Sequence, residues 1–164
     1  MDNYEEVIEK FTDAYPKHAF NKNKTLLKLD LSESKYQVVD LNDLDKDMDY
    51  RQYFLYLNEL DVNNNRLSIL KLKGYNYLER IFANSNLISK VDLNLPKLKK
   101  LELTSNIIDK VPDLTNLPNL EELRLNKNSI TRIYFDDFKP VRATLNTIDL
   151  SFNKIDFDDT NAFF

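Results

Sequence analysis

The sequence predicts an α/β solenoid: a curved, right-handed coil with a parallel β-sheet on its concave side and a helix capping its N-terminal end. Three observations point there. A motif of apolar residues with one asparagine at a fixed place recurs at spacings of 21, 20, 22 and 25 residues. Within each copy, apolar and polar residues alternate over a short stretch, which is the period of a strand. No single copy can bury its own apolar side, so successive copies must stack and lend one another the missing surface.

Five copies carry the motif. They run Leu57…Leu60…Val62…Asn65…Leu67, Leu78…Ile81…Ala83…Asn86…Ile88 and Leu98…Leu101…Leu103…Asn106…Ile108, then Leu120…Leu123…Leu125…Asn128…Ile130 and Leu145…Ile148…Leu150…Asn153…Ile155. A degenerate sixth lies upstream, Leu26…Leu29…Leu31…Ser34…Tyr36, with serine in the asparagine slot. The second and third apolar slots of each copy belong to the strand and point inward. The asparagine sits where the chain leaves the strand. Its amide both donates and accepts, so it suits backbone groups of adjacent turns, and its repetition predicts a polar ladder along the coil.

The stretch Leu117-Pro118-Asn119-Leu120, followed by Asn128-Ser129-Ile130-Thr131-Arg132-Ile133, resembles the leucine-rich repeats, and among them the class of about 22 residues. That class includes a regulatory subunit of protein phosphatase 1, an axonemal dynein light chain and a spliceosomal subunit. The resemblance covers residues 57–157. It implies a concave parallel sheet, a convex side of short helical turns, and an intracellular, non-catalytic role as an adaptor or regulatory subunit. The stretch Leu57 to Leu67 is also similar to secreted arthropod immune repeats. Those usually carry cysteines, and this chain has none.

The ends and one insertion complete the organisation. Residues 3–15 read as an amphipathic helix, with Tyr4, Val7, Ile8, Phe11 and Tyr15 on one face, Asp2 or Asn3 at its start and Pro16 at its end. Residues 1–25 are thus cap and linker, and 26–164 a solenoid of about six repeats within a single domain. After Asn153 the chain is too short for a helical cap. Phe157, Phe163 and Phe164 either fold over the end, or the open edge pairs with a second copy, or further repeats continue in a larger protein. An acidic insertion near 37–56 carries Asp43, Asp45, Asp47 and Asp49. It lacks the glycine and glutamate of a calcium loop, having Met48 and Phe54 in those places, so no metal is expected.

Composition narrows the function. The formal net charge is −4, which gives no general pull toward nucleic acid or an anionic membrane. No apolar run reaches the roughly 18–20 residues of a membrane helix. The N-terminus lacks the apolar segment of a signal peptide, and the missing cysteines favour a reducing, cytoplasmic setting. One glycine, Gly74, excludes glycine-rich nucleotide loops. One histidine, His18, offers no dyad or ligand cluster. No cofactor and no catalysis are expected.

Side chains flanking the inward strand residues face the hollow side. The slot before the first inward residue holds Lys28, Glu59, Arg80, Lys100, Glu122 and Thr147. The next outward slot holds Asp30, Asp61, Phe82, Glu102, Arg124 and Asp149. Beyond the strand come Ser32, Asn63, Asn84, Thr104, Asn126 and Ser151, then Glu33, Asn64, Ser85, Ser105, Lys127 and Phe152. A binder of phosphate backbones would show one sign of charge. This mosaic suits a protein surface, with Phe82 and Phe152 as aromatic anchors. The expected contact set is Glu59, Asp61, Arg80, Phe82, Lys100, Glu102, Glu122, Arg124, Asn126, Asp149 and Phe152. The expected partner is a protein, not nucleic acid or membrane, with a homodimer through the C-terminal end as an added option. The alternative functions are an extracellular or viral host-directed recognition protein and a repeat block of a larger protein.

Overall fold

The computed structural model describes residues 18–20, 26–30, 32–33 and 56–156. The expected helix at 3–15, most of the insertion (37–55) and Phe157, Phe163 and Phe164 lie outside the described residues. Within them, two strands open the chain, β1 (His18–Phe20) and β2 (Leu26–Asp30). They are followed by β3 (Glu59–Asp61), β4 (Ile69–Lys73), β5 (Arg80–Phe82), β6 (Lys90–Asn94) and β7 (Lys100–Glu102). Then come β8 (Glu122–Arg124), a 3-10 helix (Phe135–Val141) and β9 (Thr147–Asp149).

Seven strands form one sheet in the order β1-β2-β3-β5-β7-β8-β9. All neighbours from β2 onward run parallel, and β1 lies antiparallel to β2 at one edge. The repeat motif sets the register. Leu60, Ile81, Leu101, Leu123 and Ile148 are partners across adjacent strands. Four full turns, from Leu57 to Leu145, stack side by side. Their apolar slots form one continuous core, in which Leu57, Leu78, Leu98 and Leu120 are all sealed from water. Ile148 departs from its column: it is 41% exposed, whereas the other four are at most 1% exposed. It sits on the terminal strand, so no strand covers its outer side among the described residues.

The asparagine ladder forms as the motif predicts. Asn86 Nδ2 donates to the Val62 carbonyl of the preceding turn at 2.9 Å, and its Oδ1 accepts the Leu67 N–H at 3.0 Å. Asn106 and Asn128 repeat this with Ala83 and Ile88, and with Leu103 and Ile108. Asn153 does the same with Leu125 and Ile130. The first four ladder residues, Asn65 to Asn128, are buried, and every buried side-chain polar atom among the described residues has a partner. The desolvation cost of a polar ring inside an apolar coil is therefore met bond for bond.

The convex side differs from the helical turns that the resemblance implies, and repeat length explains the difference. The turns starting at Leu57 and Leu78 span 21 and 20 residues. A short repeat must cross the back of the coil in extended form, at about 3.3 Å per residue rather than about 2.0 Å in a 3-10 helix. There β4 and β6 pair in parallel as a second, two-stranded sheet. Their inward residues Leu70, Leu72 and Leu93 are buried. The 22-residue turn crosses in an irregular path, and the 25-residue turn has length to spare for the 3-10 helix. That helix is held at its start by Asp137, whose carboxylate accepts the Tyr134 N–H at 2.8 Å.

Candidate functional site

The sheet register brings most of the expected contact residues into two adjoining columns. Glu59, Arg80, Lys100, Glu122 and Thr147 are direct neighbours across β3, β5, β7, β8 and β9. So are Asp61, Phe82, Glu102, Arg124 and Asp149. Five parallel strands at about 4.8 Å spacing make a face roughly 19 Å across. The side chains in the first four strands are half-buried, because each leans on its cross-strand neighbours.

The charges on this face are paired with one another. Arg80 meets Glu59 at 2.9 Å and also donates to the Asn58 side chain at 2.6 Å. Lys100, Glu102, Glu122 and Arg124 close a four-membered square of alternating sign. Lys100 lies 3.0 Å from Glu102 and 3.3 Å from Glu122, and Arg124 lies 2.6 Å from Glu122 and 3.8 Å from Glu102. The hydrogen bond from Arg124 holds the Glu122 carboxyl below its ordinary range, and the bond to Glu102 raises Lys100. Asp149 is held low by the hydroxyl and backbone N–H of Ser151. These shifts all move away from neutral pH. General acid–base chemistry needs the opposite.

Phe82 stands on β5, beside the charge square of β7 and β8. Its ring is half-buried and lies 5.6 Å from the Lys100 ammonium, within cation–π reach. Glu102 beside it also accepts the Asn84 amide at 2.8 Å. The result is a surface of mixed sign with one aromatic among its charges.

Two expected residues sit elsewhere. Asn126 follows β8 and belongs to a second polar ladder along the sheet margin. Its Oδ1 accepts the Thr104 hydroxyl at 2.6 Å, Asn84 Oδ1 accepts the Thr104 N–H at 2.8 Å, and Asn63 Oδ1 accepts the Asn84 N–H at 2.7 Å. The half-buried Asn126 thus spends part of its hydrogen-bonding capacity on the neighbouring turn. Phe152 lies past β9 in a left-handed turn. Glu33, Asn64, Ser85, Ser105, Lys127 and Phe152 all have φ between 55° and 58°, because the chain must bend sharply between strand and asparagine. Asparagine and serine tolerate that conformation better than a bulky aromatic. Phe152 is 78% exposed, touched by Lys127 at 5.9 Å, and three strands away from Phe82. The two aromatics cannot form one anchor.

A further aromatic pair lies on the loops that enter the strands, outside the slots of the repeat motif. Tyr56 and Tyr77 precede the first leucine of successive turns, their rings 5.2 Å apart, with Lys97 of the next turn 4.4 Å over Tyr77. Aligning the residue just before the motif's first leucine, Tyr56 and Tyr77, reveals the pair. The described residues contain no group of side chains able to hold a metal ion, and no helix among them is long and apolar enough to cross a membrane.

Comparison with known proteins places this geometry. A family model described as Leucine Rich repeats (2 copies) matches residues 96–140. The functional domain of InlJ from Listeria monocytogenes, which includes a cysteine ladder, is similar in structure over 79% of this chain and 31% of its own, at 23% identity and a TM-score of 0.58. A chain of the Drosophila Toll–Spatzle complex is similar over 79% of this chain and 22% of its own, at 18% identity and a TM-score of 0.51. The present chain thus spans less than a third of either. No curated protein matches the sequence.

Proposed function

Since the chain is a leucine-rich-repeat protein, we propose that it is a non-catalytic adaptor or regulatory module that grips a partner protein with its concave face. Solenoids of this kind offer an extended hollow surface for protein binding. The observation that carries the reading is Phe82 on β5, with the Lys100 ammonium over its ring and Asp61 and Glu102 as its neighbours across the sheet. A partner meets a half-buried aromatic on a surface of mixed sign. That favours a folded protein face or helix over a phosphate backbone. The absence of cysteine suits an intracellular, reducing setting, which is part of the same proposal. The exposed Ile148 on β9, the edge strand among the described residues, adds a second-copy contact as an option, checked by light scattering at high concentration.

The test uses a photo-crosslinking residue at position 82 in source cells, with the same residue at position 71 on the convex side as control. The reading expects a protein captured at 82 and not at 71. Its affinity for the purified chain should fall about tenfold or more with Phe82→Ala, the size expected of a central aromatic contact. Equal capture at both positions, or unchanged affinity in Phe82→Ala, overturns it.

A further inference from the structure

The convex side holds a groove that the concave reading does not use. It lies where the irregular crossing of the 22-residue turn is flanked by β6 on one side and the 3-10 helix on the other, and it encloses about 870 Å³. Its origin is the change in repeat length. The groove lies where a strand crossing in a 20-residue turn gives way to a 3-10 crossing in a 25-residue turn. The floor is apolar: Ile108, Val111 and Leu114 are buried there, with Pro112 and Pro140 in the lining. Ile107 on its margin is 50% exposed.

The rim is acidic. Asp92, Asp109, Asp113, Asp136 and Asp137 line the groove, against Lys90 and Lys110. Asp92 is paired with Lys73 at 3.1 Å. Among the described residues no cation comes within ion-pairing distance of Asp109, Asp113, Asp136 or Asp137. This is the reverse of the concave face, where Glu59, Glu102 and Glu122 are all in ion pairs. Thr115 holds Asp113 below the ordinary carboxylate range, so it keeps its charge in mild acid. The carboxylates are strung along the rim and do not converge, and no metal-holding group occurs among the described residues. A line of separate negative charges over an apolar floor complements a line of cations with a greasy side chain between them. A single metal ion would need the carboxylates in one place.

We propose that this convex groove is a second docking site, taking a basic segment of a partner protein that sets one apolar side chain on the floor and its arginines or lysines against Asp109, Asp136 and their neighbours. The proposal is independent of the concave reading. Asp109 and Asp136 are exposed, and among the described residues neither side chain accepts a hydrogen bond or ion pair, unlike Asp113 and Asp137. Their removal therefore tests recognition without unfolding the coil.

The experiment follows fluorescence anisotropy of a labelled peptide in which one leucine sits between two arginine pairs, with a glutamate-for-arginine version as control. The full chain should bind the basic peptide and not the acidic one, more weakly as salt rises. Asp109→Asn/Asp136→Asn, shown folded by circular dichroism, should weaken binding about tenfold, and Phe82→Ala should leave it unchanged. Hydrogen exchange should show protection at 107–115. Equal binding of both peptides, no binding at millimolar peptide, or an unchanged affinity in the double variant overturns the proposal. A loss in Phe82→Ala alone would assign the peptide to the concave face and also overturn it.

Discussion

Replacing Asn106 by alanine separates the ladder from the apolar core as the source of cooperation between turns. Asn106 is 7% exposed and joins two turns. Its Nδ2 donates to Ala83 O at 2.9 Å and Leu103 O at 3.0 Å, and its Oδ1 accepts the Ile88 N–H at 2.9 Å. After the change, Ala83 O still accepts from Asn86 at 3.3 Å and Leu103 O from Asn128 at 2.9 Å. The Ile88 N–H alone is orphaned in a dry interior. An orphaned buried donor costs about 1–3 kcal/mol, and each lost net hydrogen bond about 0.5–1.5 kcal/mol. The overlapping losses make Asn106→Ala roughly 2–4 kcal/mol destabilising. Asn153→Ala removes the same bond pattern at the partly exposed end of the coil, where water can replace the partners, so its cost should stay near 1 kcal/mol. Urea unfolding at constant m-value measures both. A cost under about 0.5 kcal/mol for Asn106→Ala, or equal costs for the two variants, would refute the argument that buried position sets the ladder's worth.

Three further outcomes follow from the same structure. Leu101→Ala, at a site with no exposure, should cost about 2–5 kcal/mol, whereas Ile148→Ala, at 41% exposure, should cost less than about 1 kcal/mol; similar costs would mean that the end of the coil is as closed as its middle. Phe152→Asn should raise stability by roughly 1 kcal/mol by relieving the left-handed turn at φ 56°, and a drop in the thermal midpoint would show that the ring makes a contact of its own. Glu122, Asp149 and Asp113 have folded-state pKa values below their ordinary ones, so their stabilising effect is complete above the carboxylate range and is lost as pH falls through about 4 and lower. Lys100 is raised, so its contribution persists up to its ordinary value and is lost only as pH rises past it. The urea midpoint should thus be flat near neutral pH and fall in acid, less steeply in Glu122→Gln, and a slope unaffected by that change would count against the charge square.

What the sequence shows of this molecule depends on whether a property repeats. The inward leucines and the asparagines recur at fixed slots because each turn makes the same demand, so register, core and ladder can all be read off. The two columns of the concave face follow from the same arithmetic. The charge square is visible only afterwards. Lys100, Glu102, Glu122 and Arg124 can be named in advance, but pairing along and across strands depends on side-chain reach. The slot holding Asn63, Asn84, Thr104 and Asn126 is ambiguous for a related reason. A polar residue on an outward slot can serve solvent or the next turn, and composition does not distinguish them. The convex side is least legible, since its course follows repeat length more than residue type. A difference of four or five residues turns a strand such as β4 into the 3-10 helix at 135–141.

The same central turns carry both surfaces, back to back. Lys100, Glu102, Glu122 and Arg124 stand on the front of the turns whose back forms the groove around Val111 and Leu114. Between the two surfaces lie Leu101, Leu103, Leu117 and Leu123, all fully buried, so neither surface can shift without disturbing the stack beneath it. The two surfaces differ in how their charges are used. On the front, Glu59, Glu102 and Glu122 are already in ion pairs, so the proposed concave contact would gain less from long-range attraction and rest more on fit around Phe82. On the back, unpaired carboxylates act at a distance, so approach is faster and more sensitive to salt. Two partners of different chemistry could therefore occupy one short coil at once, the front reading shape and the back reading charge.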